Sequence, residues 1–169
     1  MTKPIQIKNL AIGSGIPKIC VPLTGTTREK ICQEAEAAKK AAADLVEWRA
    51  DFFQGLLDLE ACQNVLEALA EILGETPLLF TIRTSEEGGN ISISLENYAA
   101  CCINAAKSKK ADLVDVEVMG NPEEKKQLVA ELQKEGVKVI ASSHDFDKTD
   151  SKEMLLNRFR EMEKSGADI

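Results

Sequence analysis

Short apolar segments rich in β-branched residues alternate along the chain with longer segments that have a helical spacing of apolar residues. A strand followed by a helix, repeated several times, is typical of βαβ units and a parallel sheet. The apolar segments predict five strands, which are Lys18 to Leu23, Leu45 to Phe52, Pro77 to Thr84, Asp112 to Val118 and Val137 to Ser142.

The helical segments begin and end at recognisable signals. A capping box from Thr26 to Glu29 predicts the start of the first helix, in which Ile31, Ala35, Ala38 and Ala42 form the apolar face. The later helices are predicted from Asp58 to Leu73, from Ser94 onward, from an Asn121 cap with Pro122 in first position to a stop at Gly136, and from Asp150 to Lys164.

Two further segments flank this repeat. Ile5 to Ile12, followed by Gly13, predicts a small hairpin that could close the amino end of a barrel. Ala167 to Ile169 predicts the start of a sixth strand. Five strand-helix units and this sixth strand fit either a doubly wound open sheet or an incomplete eightfold barrel, in one domain over residues 1–169. Periodicity alone leaves both open, and no G-x-G-x-x-G motif follows a strand to favour the first.

Composition and charge exclude several classes of protein. With 44% hydrophobic and 29% charged residues, the chain has the composition of a folded globular protein. The formal charge of -7 and the lack of a basic stripe argue against a nucleic-acid partner. The first nine residues lack the apolar run of a signal peptide, and no segment is apolar enough to span a membrane, so we expect a cytoplasmic protein.

The cysteines and the histidine argue against a metal site. Five cysteines form no C-x-x-C pair, and a single histidine cannot complete a standard zinc site with them. We therefore expect reduced thiols in the core and no metal.

Charged side chains mark the carboxyl ends of three predicted strands. Glu47 and Arg49 are two residues apart and therefore share one face of a strand, where they form a polar pair. Arg83 ends an apolar strand, and Glu87 follows it beside Gly88 and Gly89, in a loop that we expect to be mobile. Because parallel sheets place their sites at this edge, these residues are candidates for chemistry.

His144 is the only histidine, and it follows the most apolar of the predicted strands. An imidazole changes charge near neutral pH, so His144 is the natural proton carrier. Asp115 and Glu117 alternate with valines on the fourth strand, and we favour a structural role for them as partners of Arg49 or Arg83. Each candidate also has a structural explanation, since internal ion pairs and packed histidines are common.

The candidates fall into three ordered motifs, which are Glu47-Trp48-Arg49 with Asp51-Phe52, Phe80-Thr81-Ile82-Arg83 with Glu87-Gly88-Gly89, and Ser143-His144-Asp145-Phe146. Together they resemble type I 3-dehydroquinate dehydratase. The resemblance extends to Ile19 to Leu23, Asp115-Val116-Glu117 and Gly166-Ala167-Asp168, and so covers essentially the whole chain.

The resemblance implies a TIM-type (β/α)8 barrel and a lyase of the shikimate pathway. Such an enzyme converts 3-dehydroquinate to 3-dehydroshikimate and water through a lysine imine, with no cofactor. By the same resemblance, His144 is the general acid-base and Glu87 orients it, while Glu47, Arg49 and Arg83 hold substrate hydroxyl groups.

The same resemblance places the imine-forming lysine just beyond Ile169, and Lys164 on the preceding helix cannot replace it. We therefore expect a truncated form that performs no imine chemistry alone and that self-associates, as a homodimer or otherwise, through open strand edges. The alternative is a catalytically inactive module that binds a small polyhydroxy carboxylic acid. A phosphate-binding barrel has little support, because its anion site usually follows the seventh and eighth strands.

Overall fold

A computed structural model describes residues 4–169, so the first three residues of the predicted domain lie outside the described part. The chain begins with an antiparallel hairpin of β1 (Ile5–Ile7) and β2 (Leu10–Ile12), as predicted. Five parallel strands follow, which are β3 (Cys20–Leu23), β4 (Leu45–Arg49), β5 (Leu78–Thr81), β6 (Leu113–Glu117) and β7 (Lys138–Ser142).

A helix follows each parallel strand. The five helices are α1 (Arg28–Lys40), α2 (Leu59–Leu73), α3 (Leu95–Lys107), α4 (Pro122–Lys134) and α5 (Lys152–Lys164). None of the helices within residues 4–169 has the length and apolarity needed to cross a membrane.

The strand order decides between the two architectures that periodicity left open. The sheet runs β3-β4-β5-β6-β7, so each strand pairs with the next one in the sequence and the order never reverses. A doubly wound sheet requires a reversal, whereas a barrel wall does not. Beyond β7, Asp168 and Ile169 donate backbone hydrogen bonds to the Val139 carbonyl, which puts them in the position of the next strand. The prediction of a (β/α)8-barrel architecture is confirmed for the part of the barrel that residues 4–169 form.

Each parallel strand has one face toward the helices and one toward the barrel interior. On β5 and just beyond it, Phe80 and Ile82 pack in the main core against the helices, while Thr81 and Arg83 face the interior. At the amino end the interior is apolar and is closed by the hairpin, through contacts among Ile7, Leu10, Leu45, Leu79 and Leu113. The polar interior positions are therefore concentrated at the carboxyl end of the sheet.

Several helix signals are displaced from their predicted positions. The N-cap of α1 is Thr27 rather than Thr26, and its hydroxyl accepts a hydrogen bond from the Lys30 amide. Ala42, predicted on the apolar face, is exposed beyond the end of α1. Asn121 precedes Pro122 as predicted, but it adopts a left-handed conformation (φ 44°) in which its side chain caps no amide.

The strands are shorter than their apolar segments. The segment predicted to reach Phe52 leaves the sheet after Arg49 and forms a 3-10 turn from Ala50 to Phe52. Past Arg49 the Ala50 carbonyl accepts the Phe53 amide at 3.0 Å, so the backbone turns there instead of continuing the strand. Of the cysteines, Cys62, Cys101 and Cys102 are buried as expected, whereas Cys20 is exposed on β3 and Cys32 is partly buried.

Candidate active site

Arg83 lies at the centre of the polar cluster at the carboxyl ends of the strands, and it is only 6% exposed. Its Nη1 donates to Glu117 Oε1 and to Ser142 Oγ, both at 3.0 Å, and its Nη2 donates to Asp115 Oδ1 at 3.0 Å. The predicted pairing of Asp115 and Glu117 with an arginine is therefore found at Arg83. One guanidinium joins the ends of β5, β6 and β7.

Burial shapes the ionisation of this cluster. Although burial opposes the charged form of Arg83, the nearby carboxylates of Asp115 and Glu117 raise its pKa above the ordinary value, so it stays charged. Burial raises the pKa of Asp115 to about 6, against the opposing effect of Arg83. Removing Arg83 would leave two buried carboxylates without their counter-charge, which is among the most destabilising changes a core can suffer.

Glu117 also fixes the start of the loop that carries Glu87. Its Oε1 accepts the Thr84 amide at 2.8 Å and its Oε2 accepts the Thr84 hydroxyl at 2.8 Å. On the helix side of β6, the Tyr98 hydroxyl accepts a hydrogen bond from the Glu117 amide at 3.2 Å. Thr84 and Arg83 thus hold the carboxylate of Glu117, and Tyr98 holds its backbone amide.

Glu87 and His144 form a direct hydrogen-bonded pair. Glu87 Oε2 lies 2.9 Å from His144 Nδ1 and accepts the His144 backbone amide at 2.9 Å. The Glu87 side chain is 10% exposed and the His144 side chain 36% exposed. An ionised carboxylate can only accept, so the neutral imidazole carries its proton on Nδ1 and leaves the Nε2 lone pair free. This arrangement can move a proton at Nε2.

Asp51 holds Arg49 at the neighbouring strand end. The Asp51 carboxylate accepts Nε and Nη2 of Arg49 at 2.8 and 2.9 Å, a bidentate contact, and it also accepts the backbone amides of Arg83 and Asn90. This hydrogen bond, more than any other effect, raises the pKa of Arg49. The Nη1 group of Arg49 donates no hydrogen bond to the described residues.

Glu47 and Arg49 share one face of β4, as predicted, but no hydrogen bond or ion pair joins them. Both side chains leave the same face of β4, but Arg49 pairs with Asp51, which the 3-10 turn brings back under the guanidinium. Within residues 4–169, Glu47 makes no side-chain hydrogen bond or ion pair and remains partly exposed. Glu47 is therefore free to contact a ligand.

Gly88 and Gly89 permit the close packing of this loop. A Cβ atom on Gly89 would lie 1.9 Å from the Arg83 carbonyl oxygen, so no side chain fits there. Gly88 has a φ of +77°, and a Cβ atom on it would lie 2.4 Å from the Phe146 ring. Phe146 in turn stacks on His144, with ring centroids 6.1 Å apart.

The loop that we predicted to be mobile is tied by backbone hydrogen bonds from Ser85 to Ile91 and from Gly89 to Thr84.

The site shows no arrangement suited to a metal. Among residues 4–169, no three histidine, cysteine, aspartate or glutamate side chains are grouped closely enough to share an ion. The site's own charged groups are carboxylates, two guanidinium groups and one imidazole.

Comparison with known proteins identifies the family. The sequence profile of type I 3-dehydroquinase matches residues 19–169. The chain belongs to the type I 3-dehydroquinase family. The 3-dehydroquinate dehydratase of Clostridium botulinum is 41% identical over 169 residues, which are 100% of this chain and 66% of that protein. The enzyme of Listeria monocytogenes serotype 4a is 42% identical over 165 residues, with the same 66% share of its length.

Solved structures of the 3-dehydroquinase family have the same fold. The type I 3-dehydroquinate dehydratase of Clostridium difficile, solved with covalently modified comenic acid, superposes with a TM-score of 0.96 at 39% identity, over 99% of this chain and 66% of that one. The enzyme of Enterococcus faecalis gives 0.93 at 41% identity, over 98% and 69%. The present chain thus spans about two thirds of these proteins.

The sequence of this 3-dehydroquinase family member did not predict the contacts that Asp51 and Thr84 make. Asp51 stands two residues after Arg49, so strand spacing would put it on the same face but about 7 Å further along, which does not indicate a bidentate contact. Only the 3-10 turn makes the contact possible. Thr84 has no distinguishing signal, since its contact with Glu117 joins the loop after β5 to a residue of β6 that is 33 positions away in the sequence.

Replacing Glu87 should release the imidazole from its single tautomer. In Glu87→Ala, Nδ1 loses its acceptor, so the neutral ring should populate the Nε2-protonated form as well. Because His144 is the only histidine, its two ring nitrogens give one pair of ¹⁵N signals, and at about pH 9 these report the tautomer directly.

The matched control is Glu86→Ala, which removes an exposed carboxylate from the same loop that makes no contact with His144. It should leave the ¹⁵N signals unchanged. Equal tautomer populations in wild type and Glu87→Ala would contradict the assignment of Glu87 as the group that orients the ring.

Proposed function

We propose that this chain carries the acid-base half of a 3-dehydroquinate dehydratase site, which removes water from 3-dehydroquinate to give 3-dehydroshikimate in the shikimate pathway. The observation that supports it most is the Glu87–His144 pair, whose free Nε2 is next to a rim that holds Arg49 and the unpaired Glu47. The family match and the names of its relatives agree with this reaction.

His144 is proposed as the group that moves the proton. With the substrate ketone held as an imine, the neighbouring C–H is acidified, and a histidine is basic enough to remove that proton. The same imidazole then protonates the departing hydroxyl group as water leaves. Glu87 keeps the ring in one orientation throughout, and in one tautomer whenever the ring is neutral, so Nε2 is the atom that takes up and returns the proton.

Glu47 and Arg49 are proposed to hold substrate hydroxyl groups. Arg49 is fixed by Asp51 and still has Nη1 to donate, while Glu47 has both oxygens available as acceptors. A preformed donor and acceptor orient a polyol with little entropic cost. Arg83 was predicted to hold substrate too, but its Nη groups already contact four protein oxygens, those of Glu117, Ser142, Asp115 and Glu87. We therefore propose that Arg83 acts mainly by positioning Asp115, Glu117 and Glu87.

We also propose that the partner is a small molecule rather than a nucleic acid, and that the compartment is reducing. The substrate is a small anionic polyol, and the acidic sequence offers no surface for nucleic acid. Free cysteines, three of them buried, fit a reducing compartment, and we propose the cytoplasm.

Quinate, a stable analogue of the substrate, should bind at this rim. We expect Arg49→Lys to weaken binding about 10- to 100-fold, because lysine keeps the charge but loses the guanidinium fork that Asp51 orients. Isothermal titration calorimetry measures the effect. The control is Arg160→Lys on α5, an exposed arginine whose guanidinium bonds only Asn157 among the described residues, and it should bind like wild type. Equal loss in both variants would count against a role for Arg49.

Borohydride trapping tests the source of the imine. Lys164 pairs with Glu161, Lys138 pairs with Asp168, and Lys125 lies 4.0 Å over the Tyr98 ring on the helix side of the sheet. Among residues 4–169, no hydrogen bond or ion pair joins any of these three amines to His144. We therefore expect the 169-residue polypeptide alone, incubated with 3-dehydroquinate and borohydride, to show no added mass.

The trapping result also separates the two candidate functions. Quinate binding with neither adduct nor turnover supports the binding module for this polypeptide alone. An adduct on an identified lysine within residues 1–169, with turnover, would exclude the module and contradict the expected absence of imine chemistry.

We also propose that the 169-residue polypeptide self-associates. Within residues 4–169, strand β3 pairs with β4 alone, and an apolar groove of about 460 Å³ runs beside it, lined by Ile12, Cys20, Leu45, Ile140 and Ile169. Ile16 and Ile19 are 81% and 64% exposed next to this groove. Such open edges and apolar surfaces favour pairing between copies.

Sedimentation velocity should therefore show dimers or larger species at micromolar concentration. Ile19→Lys should shift the protein toward monomer. Leu57→Lys makes the same kind of change at an apolar residue that is 59% exposed but lies outside the groove, and it should not shift the protein toward monomer. A wild-type protein that sediments only as a monomer would refute this part of the proposal.

A further inference from the structure

The rim of the site carries more negative than positive charge. Five carboxylates, those of Glu47, Asp51, Glu87, Asp115 and Glu117, face two guanidinium groups, those of Arg49 and Arg83, among residues 4–169. The proposed ligand is itself an anion. If every carboxylate stayed ionised, an anionic ligand would enter a field of its own sign, which opposes binding.

Asp115 is the carboxylate best placed to relieve this excess. Its Oδ1 accepts both Arg83 Nη2, at 3.0 Å, and Ser142 Oγ, at 2.7 Å. Its Oδ2 accepts no hydrogen bond from residues 4–169. A proton on Oδ2 would therefore break none of the existing contacts, and both bonds to Oδ1 would survive.

A second polar atom beside Asp115 also lacks a partner. Phe80 pairs with Val114, so the next residues, Thr81 and Asp115, lie side by side on the interior face. The Thr81 hydroxyl is fully buried and has no hydrogen-bond partner in the described part of the chain. Buried hydroxyl groups are nearly always bonded, so an oxygen atom that entered the interior beside Thr81 would give this hydroxyl its missing partner.

The charged surroundings of Asp115 come from every neighbouring strand. Arg83 on the β5 side favours the carboxylate, as does His144 after β7 when it is protonated, whereas Glu47 on β4 disfavours it. Glu117 adds a second carboxylate on β6 itself, and Glu87 a third at the rim. Behind the sheet, Tyr98 and Cys102 of α3 are neutral at physiological pH, because burial raises the pKa of each. Burial is the largest influence on Asp115, and it raises the pKa to about 6.

We propose that Asp115 takes up a proton from solvent when the anionic ligand binds, so that binding of this carboxylate ligand is coupled to protonation of the Asp115 carboxylate. The ligand anion and one proton enter together, the carboxylate of Asp115 becomes a carboxylic acid, and the net charge of the site is unchanged. The identity of the ligand rests on the proposed function. The protonation of Asp115 rests on the contacts of this chain alone.

The carboxyl signal of Asp115 tests the protonation directly, without any ligand. With ¹³C-labelled aspartate, the signal that disappears in Asp115→Asn is assigned, and its titration should have a midpoint near 6 rather than near the ordinary 3.9. A midpoint at or below the ordinary value overturns the proposal.

Stability gives a second readout with a definite sign. A carboxyl group whose folded pKa is raised binds its proton more tightly in the folded state, so its contribution is present at low pH and is lost as pH rises through the folded value. Wild type should therefore lose stability relative to Asp115→Asn as pH rises from about 4 to about 6. A difference that does not change with pH counts against a raised pKa.

Calorimetry with quinate tests the coupling. At pH 7, the heat of quinate binding should differ between phosphate and Tris buffer, because the two buffers release protons with different heats. The difference should correspond to the uptake of about 0.5 to 1 proton per bound ligand. Asp115→Asn should bind without uptake, while Asp112→Asn, the same change at the amino end of β6, should keep it. Binding by wild type without uptake overturns the coupling. Failure to bind quinate at any pH counts against the proposed function, and the carboxyl titration still decides whether Asp115 holds the proton.

Discussion

The guanidinium of Arg83 holds the carboxyl ends of three strands together. It bonds Asp115 and Glu117 of β6 and Ser142 of β7 from its place just beyond β5, in surroundings that exclude most water. A charge buried in this way is tolerable only when it is fully paired. The carboxylates therefore fix Arg83, and Arg83 fixes them, so the rim is rigid before any ligand arrives. The Glu87–His144 pair depends on this rigidity, because Glu87 also lies against Arg83, at 3.5 Å.

The polar rim is compatible with a stable fold because the two ends of the barrel interior differ. At the amino end, Leu45, Leu79 and Leu113 pack beneath the hairpin and supply apolar burial. Two residues further along the same strands, Glu47, Thr81 and Asp115 replace them, and the strand period of two keeps all of these on the interior face. The alternation that buries Trp48 and Phe80 against the helices therefore also sends the charged residues to the site.

The features set by local periodicity were predictable from the sequence, and those set by contacts between strands were not. The five strand-helix units, the hairpin and the shared face of Glu47 and Arg49 follow from spacing alone. The partner of Arg49 does not, because a 3-10 turn after the strand brings Asp51 back beneath the guanidinium, and strand periodicity gives no sign of such a turn. The position of the α1 cap was also missed, because two adjacent threonines offer equivalent hydroxyl groups and the sequence does not favour one of them. The barrel itself required the order of strands, which pairing reveals and periodicity does not.

Two positions at the loop after β5 differ sharply in how much sequence change they can tolerate. Gly89 lies so close to the Arg83 carbonyl that even a methyl group would have to displace backbone. Phe146, which covers the same loop from outside, is 76% exposed and could be exchanged for smaller or polar residues without disturbing the core. Sequence variation should therefore be tolerated at the aromatic ring that covers this loop, while the glycine beneath it stays fixed.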